Sequence, residues 1–178
     1  FKVSHGNCYS YNDDKTIEFG DVTETFAENN DEEKLYLSTE KYKIGENNIK
    51  DYEDGDKYIS RITKETKLKD YINNLKTNGE ITVTKEDGTK LTEEEYVGTG
   101  MKLTVTKDKE KIELKIAVSG DLNGDGKVTA TDLSTINQTI LKTTKLENEY
   151  KLAADLDENN NITATDLSTL NKMLLKIL

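Results

Sequence analysis

Apolar and polar residues alternate most regularly between Ile112 and Val118. There Ile112, Leu114, Ile116 and Val118 share one face, and Lys111, Glu113, Lys115 and Ala117 share the other. Period-two alternation predicts a strand with one buried face. Met101, Leu103 and Val105 repeat the pattern, as do Ile81-Thr82-Val83-Thr84 and the run Lys57–Ile62 (KYISRI). Leu68, Tyr71, Ile72 and Leu75 instead follow the i, i+3, i+4, i+7 spacing of an amphipathic helix. Thr66 is the expected N-cap, Asn78-Gly79 the expected end of that helix, and Asp87-Gly88 a turn. Residues 57–119 therefore predict a small β-α-β-β-β domain of α+β class.

Residues 1–56 carry no comparable period. They hold 15 acidic and 6 basic residues, including the run Glu28–Glu33 (ENNDEE). Such a stretch buries little apolar surface. An irregular acidic segment with a few short strands is expected, since Phe1, Tyr9, Tyr11, Ile17, Phe19, Val22, Phe26, Leu35, Tyr36 and Leu37 are scattered through it.

The last 59 residues, 120–178, contain a duplication. Asp121–Lys142 (DLNGDGKVTATDLSTINQTILK) aligns with Asp155–Lys176 (DLDENNNITATDLSTLNKMLLK) at an offset of 34, with 12 of 22 positions identical. Each copy should fold alike. Each opens on a pattern suited to calcium, a hard cation that takes six to eight oxygens. In the first, Asp121, Asn123 and Asp125 occupy positions 1, 3 and 5, Lys127 position 7, Thr129 position 9 and Asp132 position 12. In the second, Asp155, Asp157, Asn159, Asn161, Thr163 and Asp166 fill the same places. Alternate residues of a tight loop point oxygens inward, and position 7 offers its carbonyl, so lysine is tolerated there. Position 6 needs a positive φ, which Gly126 supplies freely and Asn160 adopts more readily than most residues. Val128 and Ile162 at position 8 are expected to pair through a short β-bridge. Two calcium ions are expected, supplying part of the folding free energy.

What precedes the loops argues against an ordinary EF-hand pair. Lys111–Gly120 (KIELKIAVSG) reads as a strand, so the first loop has no helix before it. Each repeat is a loop followed by a helix. The first helix has Leu133, Ile136, Ile140 and Leu141 on one face, and the last has Leu167, Leu170, Leu174 and Ile177 or Leu178. Leu146, Tyr150 and Ala153 predict a short helix between them.

Residues 120–178 resemble a type I dockerin, on Gly120-Asp121-Leu122-Asn123-Gly124-Asp125-Gly126, Asp132-Leu133, Ala153-Ala154-Asp155-Leu156-Asp157 and Asp166-Leu167. The resemblance implies two loop-helix units around two calcium ions, carried by a secreted or cell-surface protein and docking onto a cohesin domain of a scaffoldin. By position it implies cohesin contacts at Ala130, Thr131, Asn137, Gln138 and Lys142, and at Ala164, Thr165, Asn171, Lys172 and Lys176. Ser134 and Ser168 are assigned to the same faces. Ala130 and Ala164 depart from the family's Ser at position 10. Near-identity beyond the calcium ligands points to two equivalent docking faces. The alternative is a calcium-stabilised structural or adhesive tail that packs within its own chain and meets no cohesin. The segment Tyr96-Val97-Gly98-Thr99-Gly100-Met101, running through strands into Gly120-Asp121, is similar to small modules that precede dockerins in some gut Firmicutes surface proteins. With no spacer between Val118 and Asp121, the two parts are expected to pack as one rigid unit.

Composition narrows the rest. Among 178 residues, 34% are charged and 33% hydrophobic, and the net charge is −10. That charge disfavours nucleic acid and anionic membranes as partners. No apolar run approaches the ~18 residues of a spanning helix, and mean hydropathy is −0.78. His5 and Cys8 are the single histidine and cysteine. They exclude an internal disulfide and a four-ligand zinc site. Glu93-Glu94-Glu95 reads as a solvated turn in preference to a glycosidase pair. Tyr9, Tyr11, Tyr36, Tyr42, Tyr52 and Tyr58 read as packing residues in preference to a sugar platform. The expectation is a non-enzymatic module, cut from a longer protein because it begins at Phe1 without a signal peptide.

Overall fold

The computed structural model describes residues 10–11, 17–18, 34–45 and 57–176. His5, Cys8, Phe1, Tyr9, Phe19, Val22, Phe26, Tyr52, Ile177 and Leu178 lie outside the described residues. The chain divides into two compact units, Phe1–Lys34 and Leu35–Leu178. In the first, strands β1 (Ser10–Tyr11) and β2 (Ile17–Glu18) pair antiparallel.

The second unit is mixed α+β. Its strands are β3 (Leu37–Ser38), β4 (Lys43–Ile44), β5 (Tyr58–Ile62), β6 (Lys76–Thr77), β7 (Glu80–Thr84), β8 (Lys102–Lys107) and β9 (Glu110–Val118). Its helices are α1 (Leu68–Ile72), α2 (Ala130–Ile140), α3 (Asn148–Ala154) and α4 (Ala164–Leu174). Five strands form one sheet in the order β4-β5-β9-β8-β7, with β5 and β9 parallel and the other neighbours antiparallel. β3 and β6 form a separate antiparallel pair.

The alternation in β9 sets the layering. Ile112, Leu114, Ile116 and Val118 are buried in one core with Ile59, Ile62, Leu68, Tyr71, Val83, Leu103 and Val105. Ala117, on the opposite face, belongs to a second core with Leu122, Val128, Ile136, Ala153, Ala154 and Leu170. One strand therefore serves both cores. The two parts joined at Val118 lie within one compact unit, and α3 packs on β5 and β9.

Several expectations need correction. The acidic segment is not set apart up to residue 56. Leu35, Leu37, Tyr42 and Ile44 are buried in the first core, and β4 adds an edge to its sheet. Apolar residues isolated among acids still pack when the fold returns them to a sheet edge. Helix α1 is one short turn: Lys67 is its N-cap, and the Thr66 hydroxyl donates instead to the Thr63 carbonyl at 2.7 Å. The helix stops at Asn73, well before Asn78, because Lys76–Thr77 is drawn into pairing with β3. Val128 and Ile162 meet in the second core but form no β-bridge among the described residues. Leu141, expected on the apolar face of α2, is 67% exposed, and its counterpart Leu175 is 60% exposed.

No helix among the described residues is long and apolar enough to cross a membrane. Tyr42 packs on Tyr71 with ring centroids 5.1 Å apart, Tyr36 is exposed, and the Tyr58 hydroxyl faces Asn148.

Ile116 is fully buried on the strand that both cores share. Ile116→Ala should cost about 2–5 kcal/mol in urea unfolding. A loss below about 1 kcal/mol would mean that β9 is not central to the packing.

Candidate metal centre

The two loops are built by the same local rules. β9 ends at Val118, and Gly120 turns the chain at φ +84°, with its N–H donating to the Ala153 carbonyl at 2.8 Å. Asp121 is fully buried. Its Oδ1 accepts from Gly124 N–H at 2.8 Å, and its Oδ2 from Gly126 N–H at 2.9 Å and Thr99 N–H at 2.8 Å. Asn123 Oδ1 accepts from Asp125 N–H at 3.1 Å, and Asp125 Oδ1 from Lys127 N–H at 2.8 Å. In the second loop, Asp155 accepts from Asn159 N–H at 3.1 Å and Asn160 N–H at 2.8 Å. Asp157 Oδ2 accepts from the Asn159 side-chain amide at 2.8 Å, and Asn159 Oδ1 from Asn161 N–H at 2.8 Å.

Backbone conformation repeats too. Positions 4 and 6 are left-handed in both loops: Gly124 and Gly126 at φ +82° and +76°, Glu158 and Asn160 at +59° and +65°. The non-glycine residues hold the same turn at some conformational cost.

Each loop closes on a helix N-terminus. Thr129 caps α2 and Thr163 caps α4, each within a capping box whose acid is Asp132 or Asp166. Asp132 Oδ2 accepts from Thr129 N–H at 2.8 Å and from its hydroxyl at 2.9 Å, and Asp132 Oδ1 accepts from Leu122 N–H at 2.8 Å. Asp166 does the same with Thr163 and Leu156. The position-9 threonines, expected as ligands, thus use their hydroxyls to cap helices.

Asp155, Asp157 and Asp166 bring one oxygen each within 4.8 Å of one another. They are the one such acidic group among the described residues, so Asp121, Asp125 and Asp132 are held less closely. Every donor in both loops is oxygen, and the second loop presents three carboxylates to one point. That donor set fits a hard cation such as calcium. Burial pushes the Asp121 carboxyl above its ordinary value, opposed by the N–H groups of Thr99, Gly126 and Gly124. An ionised carboxylate there is costly without counter-charge.

The surface beyond the loops carries the second set of expected residues. Ala130, Thr131, Ser134, Asn137, Gln138 and Lys142 are exposed, and so are Ala164, Thr165, Ser168, Asn171, Lys172 and Lys176. α2 and α4 pack on each other and leave a groove of about 650 Å³. It is lined by Ala130, Leu133, Ser134 and Asn137 and by their equivalents Ala164, Leu167, Ser168 and Asn171. Leu133 and Leu167, read from sequence as core, also line this groove. Lys142 and Lys176 are not on the helix faces. They follow the helix ends with φ of +59° and +55°.

Sequence reasoning missed the residues that reach the loops and α3 from the α+β part. Glu158 pairs with Lys43 at 3.3 Å and with Arg61. Lys127 Nζ lies 5.7 Å from the centre of the Tyr96 ring, and the Tyr150 hydroxyl donates to Glu86 at 3.1 Å. The motif 96–101 was visible as a pattern, but nothing local to it signals a partner 22 or more residues away.

Within the acidic run, the carboxyls of Glu94 and Glu95 are held below the ordinary carboxylate range. Bonds from Lys67 and Lys69 hold Glu94 down at about 2, and Lys85 with Thr92 holds Glu95 at about 2. A general acid needs its pKa raised.

Residues 119–175, the C-terminal third of the chain, match the family model of the dockerin type I domain. No curated protein and no solved structure matches the chain.

Asp166 completes the capping box of α4 and accepts from Thr163 and Leu156, whereas the exposed Asp157 accepts only from Asn159 two residues on and adds negative charge to the loop. With chelator present, Asp166→Ala should therefore still lose about 1 kcal/mol of stability. Asp157→Ala, whose bonds are local and exposed, should lose less than half of that under the same conditions. Equal losses in chelator-treated unfolding curves would contradict the division of labour between the two acids.

Proposed function

We propose that this chain is a calcium-dependent docking module whose C-terminal third binds a cohesin domain, with the α+β part as its rigid support. The observation that carries the reading is the groove between α2 and α4. It is lined by the same four positions from each repeat, and no residue of the α+β part lines it. The family match at 119–175 supports calcium binding and protein docking at this domain.

In this reading the first loop holds one calcium ion through Asp121, Asn123, Asp125 and Asp132 with the Lys127 carbonyl. The second holds another through Asp155, Asp157, Asn159 and Asp166 with the Asn161 carbonyl. Calcium supplies positive charge that offsets carboxylates withdrawn from water. The chain supplies the rest: left-handed turns at positions 4 and 6, and threonine caps that tie each loop to its helix.

The repeats then present two equivalent faces, Ala130, Thr131, Ser134, Asn137, Gln138 and Lys142 on one and Ala164, Thr165, Ser168, Asn171, Lys172 and Lys176 on the other. A partner can engage either, with the module turned by about 180°. Contact with the chain's own α+β part runs through the loops, α3 and the far end of α4, where the Met173 carbonyl accepts from Lys64 Nζ at 2.6 Å. A self-packed tail needs no open groove, which favours docking over that alternative. The module does no catalysis of its own, and a secreted or cell-surface protein supplies the calcium-rich setting it requires.

Two measurements test this reading. At calcium about 1,000 times Kd, each site should add about 4 kcal/mol, so EGTA should lower the melting temperature markedly; an unchanged melt would sink the calcium role. In titration against a panel of cohesins, Thr131→Arg alone should leave affinity nearly intact, while Thr131→Arg with Thr165→Arg abolishes binding. A large loss from the single change would refute two equivalent faces, and no binding to any cohesin would favour the self-packed tail.

A further inference from the structure

The first loop is pressed against the backbone of the α+β part. A Cβ on Gly98 would lie 2.1 Å from the Gly124 carbonyl oxygen, and one on Gly126 would lie 2.6 Å from the Val97 carbonyl oxygen. From the other side, Glu65 N–H donates to the Gly126 carbonyl at 2.7 Å. Thr99 N–H donates to the buried Asp121 carboxylate at 2.8 Å. The Thr99 hydroxyl is itself fixed to the end of β9, accepting from Val118 N–H at 3.0 Å. The second loop is held differently. Asp155 takes its N–H donors from Asn159 and Asn160 within its own loop. That loop's bonds to the α+β part run through the Glu158 side chain, to Lys43 and Arg61.

Resting on the reading of Asp121 as a calcium ligand, we propose that Thr99 and the turn around Gly98 are positioning residues for the first calcium site. They lie outside the repeat, and the affinity of the first site depends on them while that of the second does not. A backbone N–H donor fixes the direction in which a carboxylate presents its oxygens. Calcium needs the Asp121 oxygens held in that same place. Docking of the 96–100 turn and calcium uptake at the first loop therefore reinforce each other, and the coupling is reciprocal. The duplicated halves are thereby made unequal by something neither of them contains.

Gly98→Ala probes the contact without touching a ligand. Gly98 is not in the left-handed region, so the added methyl strains chiefly the approach to the Gly124 backbone, its other close neighbour being the flexible end of the Met101 side chain at 3.1 Å. Calcium titration of the full chain is read in two backgrounds: Asp157→Ala, which disables the second site, and Asp125→Ala, which disables the first. In the first background, Gly98→Ala should weaken calcium by about 10–100-fold. In the second it should change affinity by less than about twofold. Equal losses in both backgrounds, or none in the first, would overturn the proposal. An unmutated chain that takes up no calcium would overturn the calcium reading as well. Amide exchange on the unmutated chain gives a readout independent of any variant's folding. Adding EGTA should release the Thr99 amide while Val105 in β8 stays protected. A Thr99 amide indifferent to calcium would refute the coupling.

Discussion

Four aspartates, Asp121, Asp132, Asp155 and Asp166, are buried at the ends of the two loops, and their charge has to be answered from within. Each is met first by backbone N–H groups, and this fixes the loops. Gly124 and Gly126 turn toward Asp121, and Asn159 and Asn160 toward Asp155. Asp132 and Asp166 accept from the caps of α2 and α4, so each helix begins where its loop closes. N–H donors spread the charge but do not cancel it. A divalent cation held by the same oxygens does, and on this account it locks helix direction through the caps.

Helix direction matters because the groove proposed for docking exists only where α2 and α4 lie side by side. Its lining is small and mixed: Ala130, Ser134 and Asn137 with Leu133 beneath, and their four equivalents. The α+β part constrains the same assembly from behind. β9 places Val118 in one core and Ala117 in the other. The first loop then follows directly, without room for a hinge, against the turn that carries Gly98 and Thr99. The surface left open is the one that both repeats build alike.

Much of this was legible in the sequence, for identifiable reasons. The repeat and its 1-3-5-12 acids are local patterns, and their hydrogen bonding follows from spacing alone. Ile112–Val118 was legible because the strand's two faces differ in polarity. What escaped was non-local. Leu37 and Ile44 join the first core only through partners found much later in the chain, at Thr77 and Ile59, and the acids around them hide the signal. Helix α1 was overestimated because pairing of Lys76–Thr77 with β3 outweighs propensity. Lys142 and Lys176 were placed on helix faces because the repeat carries no mark of where the helix stops. Thr99 donates through its backbone to a carboxylate 22 positions away, a contact that no side-chain pattern records.

The central claim is that charge buried in two loops is balanced by two bound ions. Native mass spectrometry of the full chain in calcium tests it directly. The account predicts two calcium ions per chain, both removed by EGTA, with one retained when Asp157 is replaced by Ala. A chain that flies free of calcium from a calcium-saturated solution, or that keeps its full complement after that substitution, would contradict it.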